Sequence, residues 1–115
     1  MSELKKLREL TSDFLKVLGD PTRLEMIDLL QNGEKTASEI KNALKKSQST
    51  ISKHLNMLVE NDLIGFEKRG NKKYYKIENS EILDLITTIN TIVLNNNKKR
   101  LKEMQDADIR DVLSP

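Results

Sequence analysis

Ser47 to Leu58 reads SQSTISKHLNML, and at helical spacing its side chains separate into two chemically distinct faces. Counting from Ile51, Leu55 and Leu58 fall at i+4 and i+7 and turn inward. Gln48, Ser49, Ser52, Lys53 and Asn56 turn outward. Amides and hydroxyls of this kind can hydrogen-bond base edges, and lysine neutralises phosphate. Ser47 is a suitable N-cap, which places the free N–H groups of the first turn, the positive end of the helix dipole, where a phosphate or base edge would sit. An ordinary solvated helix would carry Glu–Lys pairs, yet no acidic residue stands between Ser47 and Val59. With TASEIKNALKK (Thr36 to Lys46) before it, the pattern predicts a helix-turn-helix whose second helix enters the DNA major groove.

Charge is distributed to match. From Lys41 to Lys76 there are nine basic residues (Lys41, Lys45, Lys46, Lys53, Lys68, Arg69, Lys72, Lys73, Lys76) and three acidic ones (Glu60, Asp62, Glu67), a segment of +6. The whole chain is only +2, so the remainder is −4. This asymmetry is the electrostatic footprint expected of a nucleic-acid-binding face.

Other chemistry is poorly provided for. There is no cysteine, which removes disulfides, thiolate metal sites and thiol redox switches. No glycine-rich phosphate loop or His–carboxylate pairing is evident, so an enzyme is not expected, nor a cofactor. His54 is the only histidine. It lies between the apolar and polar sides of its helix, placed to pack at the domain surface or to touch phosphate, without a second His to complete a metal site. Met26, Met57 and Met104 fall at apolar helical positions and read as core or interface.

The 115 residues suit one domain with a modest core, spanning 1–115. The amphipathic N-terminus and the lack of any run of 18 apolar residues predict a cytoplasmic protein with no membrane contact. Leu4, Leu7, Leu10, Phe14, Leu15 and Leu18 predict a first helix from about Ser2 to Leu18, ended by Gly19. Asp20-Pro21 starts a second helix, to about Gln31, burying Leu24, Ile27 and Leu30 before Asn32-Gly33. Thr36 and Glu39 fit a capping box opening a third helix with Ile40, Ala43 and Leu44 inward. The helix-turn-helix thus spans 36–61. LIGFEKRGNKKYYKI, Leu63 to Ile77, alternates on both sides of a Gly70-Asn71 turn and predicts a two-stranded wing, 63–77, with Phe66, Tyr75 and Ile77 inward and a basic tip of Lys68, Arg69, Lys72 and Lys73.

Ser80 is expected to cap a last helix striped by Ile82, Leu85, Ile86, Ile89, Ile92 and Val93. A stripe that long after a complete domain needs a partner, and a second copy of the chain is expected to cover it together with the first helix. Leu7, Phe14, Leu85, Ile89 and Ile92 are the candidate interface residues, within dimerisation segments 1–18 and 80–112. Asn95-Asn96-Asn97 should weaken the helix, Lys98 to Met104 should resume it, and the last ten residues should fray. Thr87, Thr88, Asn90 and Thr91 could line an effector pocket or form a polar dimer rim.

The order helix, helix, helix-turn-helix, wing, helix, with the segments LGDPTRLEMIDLL (Leu18 to Leu30), SQSTISKHLNMLVENDLI (Ser47 to Ile64) and RGNKKYYKI (Arg69 to Ile77), resembles the ArsR family of winged-helix repressors over about Phe14 to Ile92. The resemblance implies a mainly α fold with a small β-wing, dimerising through its terminal helices. It implies a homodimer on a palindromic operator in double-stranded DNA, usually repressing transcription, with contacts from Ser47, Gln48, Ser49, Ser52 and Lys53 and the wing on neighbouring phosphate or minor groove. Many members sense soft metals through a Cys-x-Cys pair at the start of the third helix; here those positions read Thr36-Ala37-Ser38, which cannot bind a soft ion. Others use His and carboxylates on the last helix, which has no His here; Glu81, Asp84, Asp106, Asp108 and Asp111 read as solvated charges, and the effector is left open. In the turn, Lys45-Lys46 stands where the family commonly has Gly and an apolar residue. Lysine tolerates φ > 0 poorly, so a slightly reshaped turn is expected, with two more cations near the DNA backbone. A winged-helix module that docks protein instead of DNA is the competing class; it would call for an acidic or apolar surface on the fourth helix.

Overall fold

The computed structural model describes Ser2–Lys102. The order is α1 (Ser2–Leu18), α2 (Pro21–Leu30), β1 (Lys35–Thr36), α3 (Ala37–Leu44), α4 (Gln48–Glu60), β2 (Ile64–Arg69), β3 (Lys72–Ile77), α5 (Glu81–Asn96) and α6 (Lys98–Leu101). Two compact units are formed, Met1–Asn79 and Ser80–Pro115. The architecture is mainly helical with a small antiparallel sheet, as the sequence predicts.

In the first unit, helix boundaries follow from capping chemistry. Asp20 accepts the Arg23 N–H at 3.0 Å, and Pro21 begins α2 where its missing N–H costs nothing. Thr36 and Glu39 form the expected capping box, each side chain accepting the other's backbone N–H. Ser47 caps α4 by accepting from Thr50 N–H at 3.2 Å. α3 and α4 each end in a left-handed residue. Lys45 (φ 55°, ψ 47°) closes α3 by a single N–H bond to the Lys41 carbonyl, 2.9 Å. Lys45 thus adopts the conformation glycine prefers and bears its steric cost. Asp62 (φ 59°) closes α4 in a Schellman arrangement, with Leu63 N–H to Leu58 O at 3.0 Å and Asp62 N–H to Val59 O at 3.1 Å. Leu58 and Leu63 are both buried beneath it, so the cap also turns the chain into β2.

Met26, Ile27, Leu30, Ile40, Ile51, Leu55, Leu58, Leu63, Ile64 and Tyr75 are the buried centre. Two expected core residues are displaced. Leu24 is exposed, whereas Met26, Ile27 and Leu30 are buried as expected, so the inward face of α2 is centred on the side of Met26, Ile27 and Leu30. Ala43 is exposed, because eight residues of α3 bury only the Ile40 side fully. α1 exposes Leu4, Leu7, Leu10 and Leu15, each more than half accessible, and buries only Val17 and Leu18.

The sheet order is β1-β3-β2, all antiparallel. β2 and β3 are in register from Ile64↔Ile77 to Arg69↔Lys72, leaving Gly70-Asn71 as a two-residue loop with Gly70 at φ +63°. That first loop position is where a primed hairpin turn takes glycine. β1 is too short for alternation to reveal, and it forms because Lys35 and Thr36 pair with Tyr75 and Tyr74. Phe66 is 41% exposed instead of turned fully inward; its ring tilts against Tyr75 at 5.7 Å, and Lys73 Nζ sits 4.5 Å from its centroid. Tyr75 is buried, which raises its pKa, and Ile77 is half-buried.

In the second unit, Ser80 flanks α5 without a side-chain cap bond, contrary to expectation. The helix passes through Asn95 and Asn96 and stops at Asn97, whose side chain donates to Val93 O at 2.7 Å; α6 then resumes. Leu85, Ile89, Ile92 and Val93 are exposed. Thr88 and Thr91 donate to Asp84 O and Thr87 O, each at 3.0 Å, and so spend their hydroxyls on their own helix. Met104, the acidic Asp106, Asp108 and Asp111, and segment 103–112 of the expected dimerisation helix lie outside the described residues. No described helix is long and apolar enough to cross a membrane.

Candidate nucleic-acid interface

α4 is held from below by Ile51, Leu55 and Leu58, all nearly inaccessible, and this burial sets which residues face out. Gln48, Ser49, Ser52, Lys53 and Asn56 are exposed, as expected from the spacing. Ser47 donates to Thr50 Oγ1 at 2.8 Å and lies 3.2 Å from Ser49 Oγ, so the hydroxyls of the first turn form a small ordered cluster. Lys45 is exposed and Lys46 half-buried in the turn before it.

One surface cleft joins this helix to the start of α3, and a second joins the start of α3 to the wing. The first, of about 180 Å³, is lined by Ala37, Ser38, Lys41, Gln48 and Ile51. The second, of about 390 Å³, is lined by Thr36, Ala37, Ser38, Asn71, Lys72, Lys73 and Tyr75. Ser38 borders both. The start of α4 and the wing tip therefore both border the start of α3 and form one continuous face through it, which links Gln48 to Lys72 and Lys73, 24 and 25 residues away in sequence. Lys45, Lys46, Lys53, Lys68, Lys72 and Lys73 make no ion pair among the described residues.

Arg69 is different from its neighbours. Its guanidinium lies over the Tyr74 ring, Cζ 3.9 Å from the centroid, and reaches beyond it to hydrogen-bond the Glu34 carboxylate. Glu67 Oε2 is 3.9 Å from its Nε. Because β3 lies between β1 and β2, Arg69 crosses the sheet to the residue just before β1. The Glu34 hydrogen bond, and then its charge, hold the Arg69 pKa above its ordinary value.

His54 packs beneath the polar face. Its Nδ1 is 3.0 Å from Arg23 Nη1 and 3.9 Å from Asp20 Oδ2, and its side chain is 12% exposed. Arginine has no acceptor, so in this contact Nδ1 presents its lone pair to the guanidinium. Arg23 Nε also donates to Val17 O at 2.6 Å, and Nη2 to Lys16 O at 3.3 Å. Arg23 was not apparent as a key residue from sequence; DPTRL signals a helix start, but not that its arginine folds back onto α1. For Asp20, partial burial raises the pKa, but the Arg23 N–H, the Arg23 charge and His54 outweigh it and leave the carboxyl below 3.8. Among the described residues no group of three His, Asp or Glu side chains is arranged to hold a metal ion.

Comparison with known proteins places this geometry. Residues 20–65 match the model of the arsR family of bacterial regulatory proteins. The arsenical resistance operon repressor of Staphylococcus aureus is 36% identical over 97 residues, covering 84% of this chain and 93% of that protein. The protein of the same name from Staphylococcus xylosus is 47% identical over 75 residues, covering 65% and 71%. The solution structure of a homodimeric winged helix-turn-helix DNA-binding domain from Mycobacterium bovis, described as a possible ArsR-family regulator, superposes with a TM-score of 0.71 at 25% identity, covering 77% of this chain and 82% of that one. The fold is a winged helix-turn-helix, and the chain belongs to the ArsR family of regulatory proteins.

Proposed function

We propose that this chain is a sequence-specific transcriptional repressor that binds a palindromic operator as a homodimer and does not respond to thiophilic metals. The observation that carries the reading is the continuous face uniting Gln48 and Lys41 with Asn71, Lys72 and Lys73 on either side of Ser38. In it, Ser47, Gln48, Ser49, Ser52 and Lys53 read or approach base edges in the major groove. Lys45, Lys46, Lys68, Lys72 and Lys73 meet flanking phosphates, with Arg69 at the same tip. The family membership and the names of the staphylococcal relatives support repression.

Dimerisation is assigned to α1 and α5, whose Leu7, Leu85, Ile89 and Ile92 are exposed and whose Phe14 is half-buried. A chain of this size does not leave so many leucines and isoleucines to water without a partner. The whole chain, 1–115, then acts as one unit with dimerisation segments 1–18 and 80–112. The arsenical repressors that this chain resembles carry that name, but this chain has Thr36-Ala37-Ser38 at the start of α3 and no cysteine anywhere, so release from DNA uses another signal.

The test is a fluorescence-anisotropy titration on duplexes enriched by the protein from random sequence, repeated across salt. Each phosphate neutralised should add about 0.9 to the slope of log K against log salt. Recovery of a two-fold symmetric site with a steep slope is the expected result. Binding flat in salt, or no enriched site, would remove the reading.

A further inference from the structure

The wing carries four cations at its tip, but one of them is already occupied. Arg69 donates to Glu34, stacks on Tyr74 at 3.9 Å and has Glu67 3.9 Å from its Nε, whereas Lys68 and Lys72 make no ion pair among the described residues. Glu34 belongs to the short segment between α2 and β1 and is neither a helix cap nor a strand residue. Its carboxylate gives the guanidinium the planar, charge-assisted acceptor that a DNA phosphate would otherwise offer. Both partners are substantially exposed, 45% and 40% by side chain, so the pair is open to competition from solution. An exposed pair of this kind is weak and can be exchanged.

Resting on the DNA-binding reading above, we propose that Glu34 is an internal phosphate mimic that holds Arg69 in the free protein and must yield it to the DNA backbone. It acts as a brake on electrostatic binding. A docked phosphate at the wing tip takes the guanidinium from Glu34, and a duplex that approaches without reaching the tip leaves the pair closed and gains nothing from Arg69. Glu34 thus lowers affinity for every duplex whose backbone reaches the wing tip, whatever its base sequence, and leaves DNA that does not reach the tip unaffected.

The experiment is a double-mutant cycle of Glu34→Gln and Arg69→Gln in the full chain, with binding of a 5′-labelled mixed-sequence duplex followed by anisotropy at several salt concentrations. Both positions are exposed, and circular dichroism checks that the variants fold. Glu34→Gln should bind the duplex several-fold tighter, because Arg69 reaches its phosphate without first leaving Glu34, while the slope of log K against log salt stays close to that of the wild type, the number of phosphates contacted being the same. In the Arg69→Gln background the same Glu34 change should have little effect. Weaker or unchanged binding by Glu34→Gln would overturn the inference. So would an equal gain in the Arg69→Gln background, which would mark a general charge effect. Failure of the wild-type protein to bind any duplex would overturn the DNA-binding reading itself, and the inference with it.

Discussion

Arg23 and His54 meet at 3.0 Å between Nη1 and Nδ1, and this one hydrogen bond ties the start of α2 to the middle of α4. The same guanidinium donates to the Val17 and Lys16 carbonyls, so the last turn of α1 is fastened to α4 through a single side chain. This contact adds a polar tie to the apolar packing of Ile51, Leu55 and Leu58 that orients α4.

Breaking that tie should cost stability in a chemically specific way. Arg23→Ala leaves the Val17 carbonyl and His54 Nδ1 without partners in a partly buried site, and about 1–3 kcal/mol is expected to be lost. His54→Phe should lose a similar amount. His54→Asn, whose amide oxygen can stand in for Nδ1 as acceptor, should recover part of it. Urea unfolding of the three variants checks this; equal losses in His54→Asn and His54→Phe would show that packing, and not the hydrogen bond, holds α4.

Asp20 adds a pH dependence whose sign is set by its lowered pKa. A carboxyl with a folded-state pKa below its unfolded value stabilises the fold when pH is above the unfolded value. That contribution is lost as pH falls through the folded value. Asp20→Ala removes the α2 cap and should cost about 1 kcal/mol at neutral pH. The gap between wild type and Asp20→Ala should narrow below 3.8, the ordinary value, as the wild-type carboxyl protonates. Thermal melts of the two proteins between neutral and acid pH measure it.

The left-handed caps can be relieved. Lys45→Gly removes a steric cost of about 1–2 kcal/mol and adds backbone entropy worth roughly 0.5–1 kcal/mol to the unfolded chain, so a net gain of some tenths to about 1 kcal/mol is expected. Asp62→Gly should gain less, because aspartate tolerates φ > 0 better than lysine. Lys45→Gly should nevertheless weaken DNA binding, with the salt slope shallower by about 0.9 per protomer, if Lys45 meets a phosphate. Tighter folding with an unaltered slope would place Lys45 off the DNA.

Base reading and backbone gripping should separate. Gln48→Ala is expected to cost about 1–3 kcal/mol on an enriched site and far less on mixed-sequence DNA. Lys72→Ala should weaken both by similar factors. An unchanged ratio of specific to mixed-sequence affinity in Gln48→Ala would remove Gln48 from the base contacts.

Subunit association is tested at Ile89, exposed on α5. Ile89→Glu would bury an unpaired carboxylate in the proposed interface, at a cost of several kcal/mol. Analytical ultracentrifugation should then show monomer, with specific DNA binding lost although the helix-turn-helix is untouched. A variant that remained dimeric and bound normally would move the interface to another surface.

What was legible beforehand was what local physics decides. Asp20-Pro21, Thr36 with Glu39, and Ser47 mark helix starts because cap hydrogen bonds span three residues or fewer. Gly70-Asn71 marks the hairpin because its turn needs φ > 0, and the outward set on α4 follows from the spacing of Ile51, Leu55 and Leu58. The features that escaped are those in which distant residues compete. Leu24 is exposed although its spacing with Ile27 and Leu30 suggests burial, because packing against the rest of the unit, and not hydrophobicity alone, selects which apolar residues of α2 turn inward. β1 exists because β3 offers it an open edge, which two residues cannot announce. Lys45 keeps the left-handed turn because the helices on either side fix its backbone more strongly than its own preference does. Arg23 and Arg69 look alike in sequence, as basic residues near turns. Only tertiary structure gave one to the carbonyls of α1 and His54 and the other to Glu34, because a guanidinium on a long side chain takes whichever acceptors the fold brings within reach.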